Sequence, residues 1–257
     1  MKVIFSDIDG TLLNSRHHVS PYTKEVLNEA HKAGHKLVLA SGRAYDGMIT
    51  IFNELPFTPI AATLNGAYIV DEDRSVIFKS PMKRELLLRL EEKFSELSVD
   101  YFYFYGEHWG GGSDNKYVRR ELEVIKSQAL IKPLSELEFE VEKVLAIVED
   151  GDEVLMELRK SFPDLVIAKS APNYIEITNG SIHKGNAVDK VTEYFGLTNA
   201  DAIAFGDYDN DIEMLKVAGI SYAMSNATEN TKKAAKRIGL SNDEDGVAKA
   251  LVEILGL

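Results

Sequence analysis

Short apolar segments alternate with amphipathic ones at both ends of this 257-residue chain, and this alternation limits its possible folds more than any other feature. The run KVIF at residues 2–5 predicts a buried strand. Ser20 is a good N-cap directly before Pro21, so a helix is predicted to begin there and to end near Gly34. Residues 37–40 (LVLA) predict a second strand. Strand, helix and strand at this spacing form a βαβ unit, whose strands are normally parallel.

The C-terminal part of the chain repeats this order. The segments KGNAVDKVTEYFG, NDIEMLKVAG and TENTKKAAKRI predict helices, and DAIAFGD and ISYAMSNA predict strands that run into turns. Such alternation predicts an α/β fold with a doubly wound, Rossmann-like parallel sheet.

The middle of the chain has a different pattern. VDYFYFY and VEKVLAIVE predict strands, KRELLLRLEEKFSEL and DEVLMELRKSF predict helices, and LVIAKSAPNYIEIT predicts a hairpin. Paired strands with interposed helices indicate an inserted α+β domain. Turn residues cluster near Pro81 and at Asn179-Gly180. We therefore predict a catalytic core over residues 1–80 and 181–257 and an inserted domain over residues 81–180.

Two segments of the predicted insert allow more than one interpretation. YFYFY at residues 101–105 can stack on nucleic-acid bases, but no basic stripe accompanies it, so a buried strand is favoured. HWGGGSDNKYVRR at residues 108–120 is rich in glycine and contains Trp109. It is compatible equally with a mobile surface loop and with a loop that contacts a substrate.

Composition excludes several classes of function. The formal net charge of -12 opposes binding to nucleic acid, which requires clustered Lys and Arg. The chain has no cysteine, which excludes disulfides, thiolate catalysis and zinc–sulfur sites. No apolar stretch approaches the roughly 20 residues that cross a bilayer, and an acid follows the first apolar run too soon for a signal segment. We predict a cytoplasmic protein without a membrane association or an obligate protein partner.

Several reactive side chains follow the predicted strands. In an open α/β sheet, ligands bind outside the carboxyl ends of the strands. Each residue alone has a commoner interpretation as part of a turn, a loop or a helix cap, but their shared position predicts one site. The residues are Asp7 and Asp9 after the first strand, Ser41 after the second, Asp207, Asn210 and Asp211 after DAIAF, and Lys184 at the start of a helix.

The motifs DIDGTLL, LASGR, HKGNAV and GDYDNDIEML resemble, in order and spacing, the four motifs of the haloacid dehalogenase (HAD) superfamily of phosphatases. LNGA, AMSNATENTKKAA and NDEDGVAKAL are similar to the Cof-like branch, whose members have a type IIB cap between the second and third motifs. The resemblance covers residues 1–80 and 181–257, and it extends to the insert only in size and pattern. It implies a HAD-like core with an inserted cap that sets substrate specificity.

The resemblance also implies a separate role for each of these charged residues. Asp7 is the nucleophile that forms an aspartyl-phosphate, and Asp9 is the general acid and base. Lys184 steadies the nucleophile and the charge that develops on phosphate. Mg²⁺ is the implied cofactor, bound by the carboxylates of Asp7 and Asp207 and by the backbone carbonyl of Asp9. Asp211 contributes to the metal site from a second layer or through water.

Phosphate binding is assigned to the loops around these acids. Ser41 and the amide of Gly42 are expected to donate to phosphate oxygens, and Gly10 and Thr11 fit a tight turn through which the backbone approaches phosphate. Three residues have open roles. Arg43 either steers phosphate or pairs with an acid in the core, Asn65 either only forms an Asn-Gly turn or lies near the substrate, and Asn210 either orients its loop or contacts phosphate.

We therefore predict a Mg²⁺-dependent phosphomonoesterase for a small phosphorylated metabolite, with a sugar phosphate as the first expectation. Alternative substrates are a nucleotide, flavin or pyridoxal phosphate. A phosphomutase has a similar core and cap. Outside enzymes, a non-catalytic metabolite sensor and a response-regulator-like receiver also fit an acidic cluster, although Asp9 and the inserted domain disfavour the receiver.

Overall fold

The chain divides into two compact units. The structure, a computed structural model, describes residues 1–125, 128–149, 151–180 and 182–257, without the side chains of residues 124 and 125. The first unit comprises Met1–Arg43, Met48–Phe78 and His183–Leu257, and the second comprises Lys79–Ile182 with Ala44–Gly47. Residues 126, 127 and 150 of the predicted insert and residue 181 of the predicted core lie outside the described residues.

In chain order the strands are β1 Val3–Ser6, β2 Lys36–Ala40, β3 Ile60–Thr63, β4 Tyr68–Val70, β5 Val76–Lys79, β6 Asp100–Tyr105, β7 His108–Gly111, β8 Ala129–Ile131, β9 Lys143–Ile147, β10 Leu165–Ala171, β11 Tyr174–Asn179, β12 Ala202–Gly206, β13 Ile220–Ala223 and β14 Arg237–Ile238. The α-helices are α1 Pro21–Lys32, α2 Ile49–Phe52, α3 Arg84–Leu97, α4 Lys116–Ile125, α5 Gly151–Ser161, α6 Lys184–Tyr194, α7 Ile212–Val217, α8 Glu229–Ala234 and α9 Gly246–Leu255. No helix in the described ranges is both long and apolar enough to cross a membrane.

The larger sheet confirms the predicted α/β class. Its strand order is β14-β13-β12-β1-β2-β3-β4-β5, and the neighbouring strands from β14 to β3 run parallel. The chain moves outward from β1 through β2 to β3, and its C-terminal part builds the opposite half from β12 to β14. The strand order therefore reverses beside β1, and the carboxyl ends of β1 and β12 lie where this class of sheet binds ligands.

Local sequence signals account for the first βαβ unit. The Ser20 hydroxyl accepts a hydrogen bond from the Thr23 backbone amide at 3.0 Å, so Ser20 caps α1, and Pro21 occupies the first turn as predicted. The helix ends at Lys32, and Gly34 follows with φ +88°, a conformation that glycine adopts without steric cost. The apolar face of α1, including Val26 and Leu27, is buried.

The predicted helix over TENTKKAAKRI is wrong in its second half. Helix α8 ends at Ala234, and Arg237–Ile238 instead pairs with Tyr222 and Ala223 as the edge strand β14. The Lys and Arg residues of this segment make it resemble an exposed helix. Pairing with β13 is a tertiary interaction that helix propensity does not register.

The second unit is built on a six-stranded sheet with the order β10-β11-β9-β6-β7-β8. The predicted hairpin forms from β10 and β11, which are antiparallel. Tyr101 and Tyr103 from YFYFY lie in an apolar cluster with residues of α3 and α5, including Phe94 and Leu158. This confirms the buried strand and leaves these tyrosine rings unavailable for stacking on bases.

The prediction that residues 108–120 form one continuous loop is wrong, because only residues 112–115 lie outside a strand or helix. A contact between this segment and a substrate stays a prediction. His108–Gly111 forms strand β7, and Trp109 is only 1% exposed, with its ring edge-on to Phe102 at 5.6 Å. The glycines reflect close packing rather than mobility. A Cβ atom on Gly110 would lie 2.5 Å from the Tyr103 ring, and one on Gly111 would lie 2.5 Å from Val118.

Candidate active site

A cleft of about 350 Å³ lies at the carboxyl ends of β1, β2 and β12, within the first unit. Most of the predicted site residues meet there, although they come from widely separated parts of the sequence. The lining residues are Asp7, Asp9, Ser41, Gly42, Arg43, Asp207, Tyr208 and Asn210. Lys184, Asp211 and Asn65 lie next to this cleft, through the contacts described below.

Three carboxylates converge at its base. Asp7, Asp207 and Asp211 each offer an oxygen, and these oxygens lie within 4.8 Å of one another. Asp7 is only 8% exposed and Asp211 is fully buried. Acids are rarely buried so close together without a compensating positive charge.

Lys184 supplies part of that charge. Its Nζ atom lies 2.5 Å from Oδ1 of Asp7 and 2.6 Å from Oδ1 of Asp211, and its side chain is 1% exposed. Helix α6 begins at Lys184, as predicted, so the helix start fixes the base of this long side chain. The lysine therefore joins the end of β1 to the loop after β12.

The Asp211 carboxylate forms its hydrogen bonds with a side chain and backbone amides of the protein. Its Oδ1 atom accepts a hydrogen bond from Lys184, and its Oδ2 atom accepts from the backbone amides of Asp207 and Tyr208, both at 3.0 Å. These bonds fix the lysine and the loop that carries Asp207. A contribution of Asp211 to metal binding remains a prediction.

Burial and charge shift the protonation equilibria of the cluster. Burial raises the pKa of Asp7 from its ordinary 3.8 to about 7, against the opposing effect of Lys184. Burial alone would lower the pKa of Lys184, but the neighbouring charges of Asp7 and Asp211 outweigh it and raise that pKa to about 12. Burial also raises the pKa of Asp207. Lys184 is therefore charged near neutral pH. Its single positive charge is not enough to keep the pKa values of Asp7 and Asp207 at their ordinary level.

Gly10 and Thr11 both contact Asp207, and an approach of their backbone to phosphate stays a prediction. Gly10 has φ +78°, a conformation that favours glycine, and a Cβ atom there would lie 2.4 Å from Oδ2 of Asp207 and would displace that carboxylate. The Thr11 hydroxyl donates to Oδ1 of Asp207 at 2.7 Å. The tight turn was predictable, but its partner lies about two hundred residues further along the chain.

Asp9 stands apart from the three-carboxylate cluster. Its two oxygens accept hydrogen bonds from Nε and Nη2 of Arg43 at 3.0 and 2.7 Å, which is a bidentate ion pair. The Asp9 side chain is 49% exposed and that of Arg43 is 38% exposed. Arg43 thus pairs with an acid, but at the partly exposed cleft rather than in the core. Its role in steering phosphate stays a prediction. Metal binding by the Asp9 carbonyl remains a prediction.

The loop after β2 is positioned by its neighbours. The Ser41 amide donates to the Ala62 carbonyl at 2.9 Å, the Asn65 amide donates to the Ser41 carbonyl at 2.8 Å, and the Ser41 hydroxyl accepts from the Arg43 amide. A Cβ atom on Gly42 would lie 3.2 Å from Oδ1 of Asn65. The loop therefore holds the Ser41 hydroxyl and the Gly42 backbone at the cleft.

Asn65 connects β3 to β4, which are antiparallel, with φ +57°. The Asn-Gly turn is thus confirmed. Its Oδ1 atom is also buried and has no hydrogen-bond partner among the residues that the structure describes. Such an atom beside Gly42 is compatible with a second role near the substrate.

Sequence reasoning missed Tyr208 as a lining residue. It lies between Asp207 and Asn210 in the fourth motif, but an aromatic residue carries no signal for phosphate chemistry. Asn210 lines the cleft as expected and is exposed. Only the position of Tyr208 beside a candidate ligand could have drawn attention to it.

The donor set of the cluster fits a divalent metal ion. Four carboxylates (Asp7, Asp9, Asp207 and Asp211) contact or surround two cations (Lys184 and Arg43), so the fully ionised group has two negative charges in excess. Carboxylate oxygens suit hard cations, and one divalent ion would neutralise this excess.

Known proteins resemble this chain along nearly its whole length. The model of the haloacid dehalogenase-like hydrolase family matches residues 4–251. A Bacillus subtilis protein named 5-amino-6-(5-phospho-D-ribitylamino)uracil phosphatase is 33% identical, with 98% of this chain and 94% of that protein covered. A solved haloacid dehalogenase-like hydrolase from Bacteroides thetaiotaomicron is 31% identical, with a TM-score of 0.86 and coverage of 98% and 99%. A solved HAD subclass IIB sugar phosphatase is 26% identical, with a TM-score of 0.78 and coverage of 100% and 99%.

Fold, site and relatives together define a phosphatase, a hydrolase of phosphoric monoesters that acts on small phosphorylated substrates. The chain belongs to the haloacid dehalogenase-like hydrolase family, in the Cof-like branch that includes subclass IIB enzymes. The predicted family is confirmed, and the receiver and the non-catalytic sensor are thereby set aside. Members of the family generally use a metal ion.

Proposed function

We propose that the enzyme hydrolyses a sugar phosphate with Mg²⁺ as cofactor and an aspartyl-phosphate at Asp7 as intermediate. The observation that carries this proposal is the convergence of Asp7, Lys184 and Asp207 at the ends of β1 and β12. A carboxylate that attacks an anionic phosphate must overcome charge repulsion. Lys184 and a divalent ion are the two sources of positive charge that this cluster provides for.

Asp7 is the nucleophile in the proposed first step. One of its oxygens bonds to phosphorus while the bond from phosphorus to the sugar oxygen breaks. Asp9 donates a proton to the departing alkoxide. Lys184, at 2.5 Å from Oδ1 of Asp7, orients the carboxylate and offsets the negative charge that builds up on the phosphoryl oxygens.

The second step returns the enzyme to its starting state. Asp9 accepts a proton from a water molecule, whose oxygen bonds to phosphorus, and the bond between phosphorus and Asp7 breaks. Inorganic phosphate is released and Asp7 regains its carboxylate. Because Asp9 is paired with Arg43 in this structure, we propose that the arriving phosphate takes over the Arg43 guanidinium and frees Asp9 for proton transfer.

Mg²⁺ would be held by the carboxylates of Asp7 and Asp207 and the Asp9 carbonyl, with Asp211 nearby, and would supply Lewis-acid stabilisation of the phosphoryl group. Ser41 and the Gly42 amide are proposed phosphate ligands, as is Asn210. Asn65 is proposed to lie near the substrate. The inserted unit at residues 81–180 is proposed to be the type IIB cap that sets substrate specificity.

The sugar-phosphate assignment is supported by the subclass IIB sugar phosphatase among the solved relatives. A second candidate is a phosphorylated ribitylaminouracil, because the Bacillus subtilis relative that is named for this substrate is 33% identical. Both candidates carry the phosphate on a polyhydroxylated carbon chain. They share the chemistry at phosphorus and differ only in the leaving group.

A substrate panel tests the proposed function. Purified enzyme is treated with EDTA and assayed for inorganic phosphate release from hexose and pentose phosphates, 5-amino-6-(5-phospho-D-ribitylamino)uracil and pyridoxal 5′-phosphate, with and without Mg²⁺. We expect release from at least one sugar phosphate only with Mg²⁺, with about a 10²-fold or larger loss in EDTA that Mg²⁺ reverses.

Three results would change this assignment. Equal rates in EDTA and Mg²⁺ would remove the metal from the mechanism. Conversion of a sugar phosphate into its positional isomer without free phosphate would indicate a phosphomutase instead. Preference for the ribitylaminouracil phosphate over every sugar phosphate would select the second candidate.

A further inference from the structure

Among the residues that the structure describes, eight line the active-site cleft, and Tyr208 is the one aromatic residue among them. The others are acids, Arg43, Ser41, Asn210 and a glycine. The charged groups are already engaged by the proposed chemistry at phosphorus. None of them provides an apolar surface for the part of a substrate that lies beyond its phosphate.

The backbone of Tyr208 is held firmly beside the reacting groups. Its amide donates to Oδ2 of Asp211 at 3.0 Å, and its carbonyl accepts from the Asp211 amide at 2.9 Å. The preceding carbonyl, that of Asp207, accepts from the Thr228 amide at 3.0 Å. Since Asp211 also binds Lys184, the base of the tyrosine side chain is fixed relative to the nucleophile.

The residue nevertheless remains 64% exposed. Exposed tyrosines are ordinary on a protein surface, and Tyr22 on α1 is 41% exposed but is not among the residues that line the cleft. The position of Tyr208 is what distinguishes it. An aromatic ring that projects from an anchored loop next to Asp207 provides a flat apolar surface that a bound molecule can cover at little cost in protein ordering.

We propose that Tyr208 determines specificity by packing its ring against the apolar face of a cyclic leaving group attached to the phosphate. This inference rests on the proposed function and deepens it, because it selects ring-shaped substrates over open-chain ones. The C–H face of a sugar ring and the face of an aromatic heterocycle share this chemistry. An acyclic polyol has no comparable face and covers the tyrosine ring poorly.

The test compares matched substrates that differ only in ring closure. Glucose 6-phosphate is paired with glucitol 6-phosphate, and ribose 5-phosphate with ribitol 5-phosphate, and kcat/KM is measured with Mg²⁺ for each. We expect the wild-type enzyme to favour the cyclic member of at least one pair by about tenfold, the effect of roughly 1.4 kcal/mol of added contact. Tyr208→Ala should bring that ratio close to one, and Tyr208→Phe should preserve it.

Tyr22→Ala is the matched control, since it removes an exposed tyrosine that does not line the cleft and should leave the wild-type ratio in place. A ratio that is unchanged in Tyr208→Ala, or near one in the wild type, would overturn the proposal. Pyridoxal 5′-phosphate forms a separate arm. If it alone is hydrolysed, and Tyr208→Ala slows that reaction about tenfold while Tyr208→Phe does not, the ring is aromatic rather than a sugar.

Acetyl phosphate separates this inference from the proposed function. Its acetyl leaving group has no ring to pack against Tyr208, so its hydrolysis by the wild-type enzyme reports on the chemistry at phosphorus alone. Absence of all Mg²⁺-dependent hydrolysis, including that of acetyl phosphate, would defeat the proposed function. Hydrolysis of acetyl phosphate without any preference for rings would defeat only the role of Tyr208.

Discussion

Replacing Asp7 with Asn is expected to lower kcat by about 10³-fold or more while leaving the fold intact. Asparagine has nearly the shape of aspartate, so it fits the space at the end of β1, but its amide does not attack phosphorus. The substitution also removes one negative charge from the buried cluster with Asp207 and Asp211. The purified variant should therefore unfold at a urea concentration no lower than the wild type, which urea denaturation followed by circular dichroism can verify.

A covalent label provides the more specific measurement. Incubation with radiolabelled acetyl phosphate and rapid acid quenching should leave hydroxylamine-sensitive phosphate on the wild-type chain and none on Asp7→Asn. Asp9→Asn serves as a positive control, since the loss of the proposed base should let the intermediate accumulate. Asp164→Asn removes an exposed aspartate elsewhere and should behave like the wild type in labelling and in turnover.

Near-normal turnover by Asp7→Asn would rule out Asp7 as the nucleophile. Label retained on that variant but lost in hydroxylamine would move the covalent step to another carboxylate. Asp207 would then be the next candidate, because its oxygen lies within 4.8 Å of the oxygens of Asp7 and Asp211.

The sequence was sufficient to predict which strands carry the site. Asp7 and Asp207 follow short apolar runs, and parallel strands that alternate with helices bring their carboxyl ends to one edge. The same reasoning predicted α6, whose first residue is Lys184. These features depend on local periodicity and on the handedness of βαβ units, both of which one sequence encodes.

Pairings between distant side chains were not predictable in the same way. Whether Arg43 would pair with an acid depended on the position of the Asp9 side chain. Only the folded chain shows the bidentate contact between Arg43 and Asp9. Similarly, the glycine at position 10 signalled a tight turn, but not that Asp207 would occupy the space of the missing side chain. Such contacts follow from distances that no periodicity specifies.

Trp109 shows why composition misleads in the inserted unit. Consecutive glycines are typical of loops, and a lone tryptophan next to them looks like a binding residue. In β7 those glycines accept the Tyr103 ring and Val118 in place of their own side chains, and Trp109 is buried. Close packing against a bulky neighbour is a second reason for a glycine at such a position. The sequence alone does not distinguish this reason from a need for flexibility.

Lys184→Met is the second substitution with a large expected effect. Methionine fills most of the lysine volume without its charge, so Asp7 loses the cation that orients it at 2.5 Å. We expect kcat to fall by about 10²–10³-fold, the usual cost of removing one electrostatic group from a reaction centre. Lys233→Met removes an exposed lysine from α8 and is the control. A loss below about tenfold would mean that Lys184 is structural only.

The same variant should reveal the charge balance of the cluster through its stability. Removing Lys184 leaves Asp7 and Asp211 buried without their partner, which typically costs about 3–5 kcal/mol of unfolding free energy. Burial already raises the pKa of Asp7 to about 7, and losing the lysine raises that pKa further, above the 3.8 of the unfolded chain. Between these values the folded protein binds more protons than the unfolded one, so stability falls as pH rises.

Urea denaturation in EDTA from pH 5 to pH 8 measures this dependence, and we expect a steeper decline in Lys184→Met than in the wild type. Added Mg²⁺ should flatten the decline in both proteins, because a bound cation favours the ionised carboxylates whatever the lysine does. If Lys184→Met matches the wild type at every pH in EDTA, the lysine does not offset the acids. If Mg²⁺ has no effect on either profile, the excess negative charge at the ends of β1 and β12 is not a metal site.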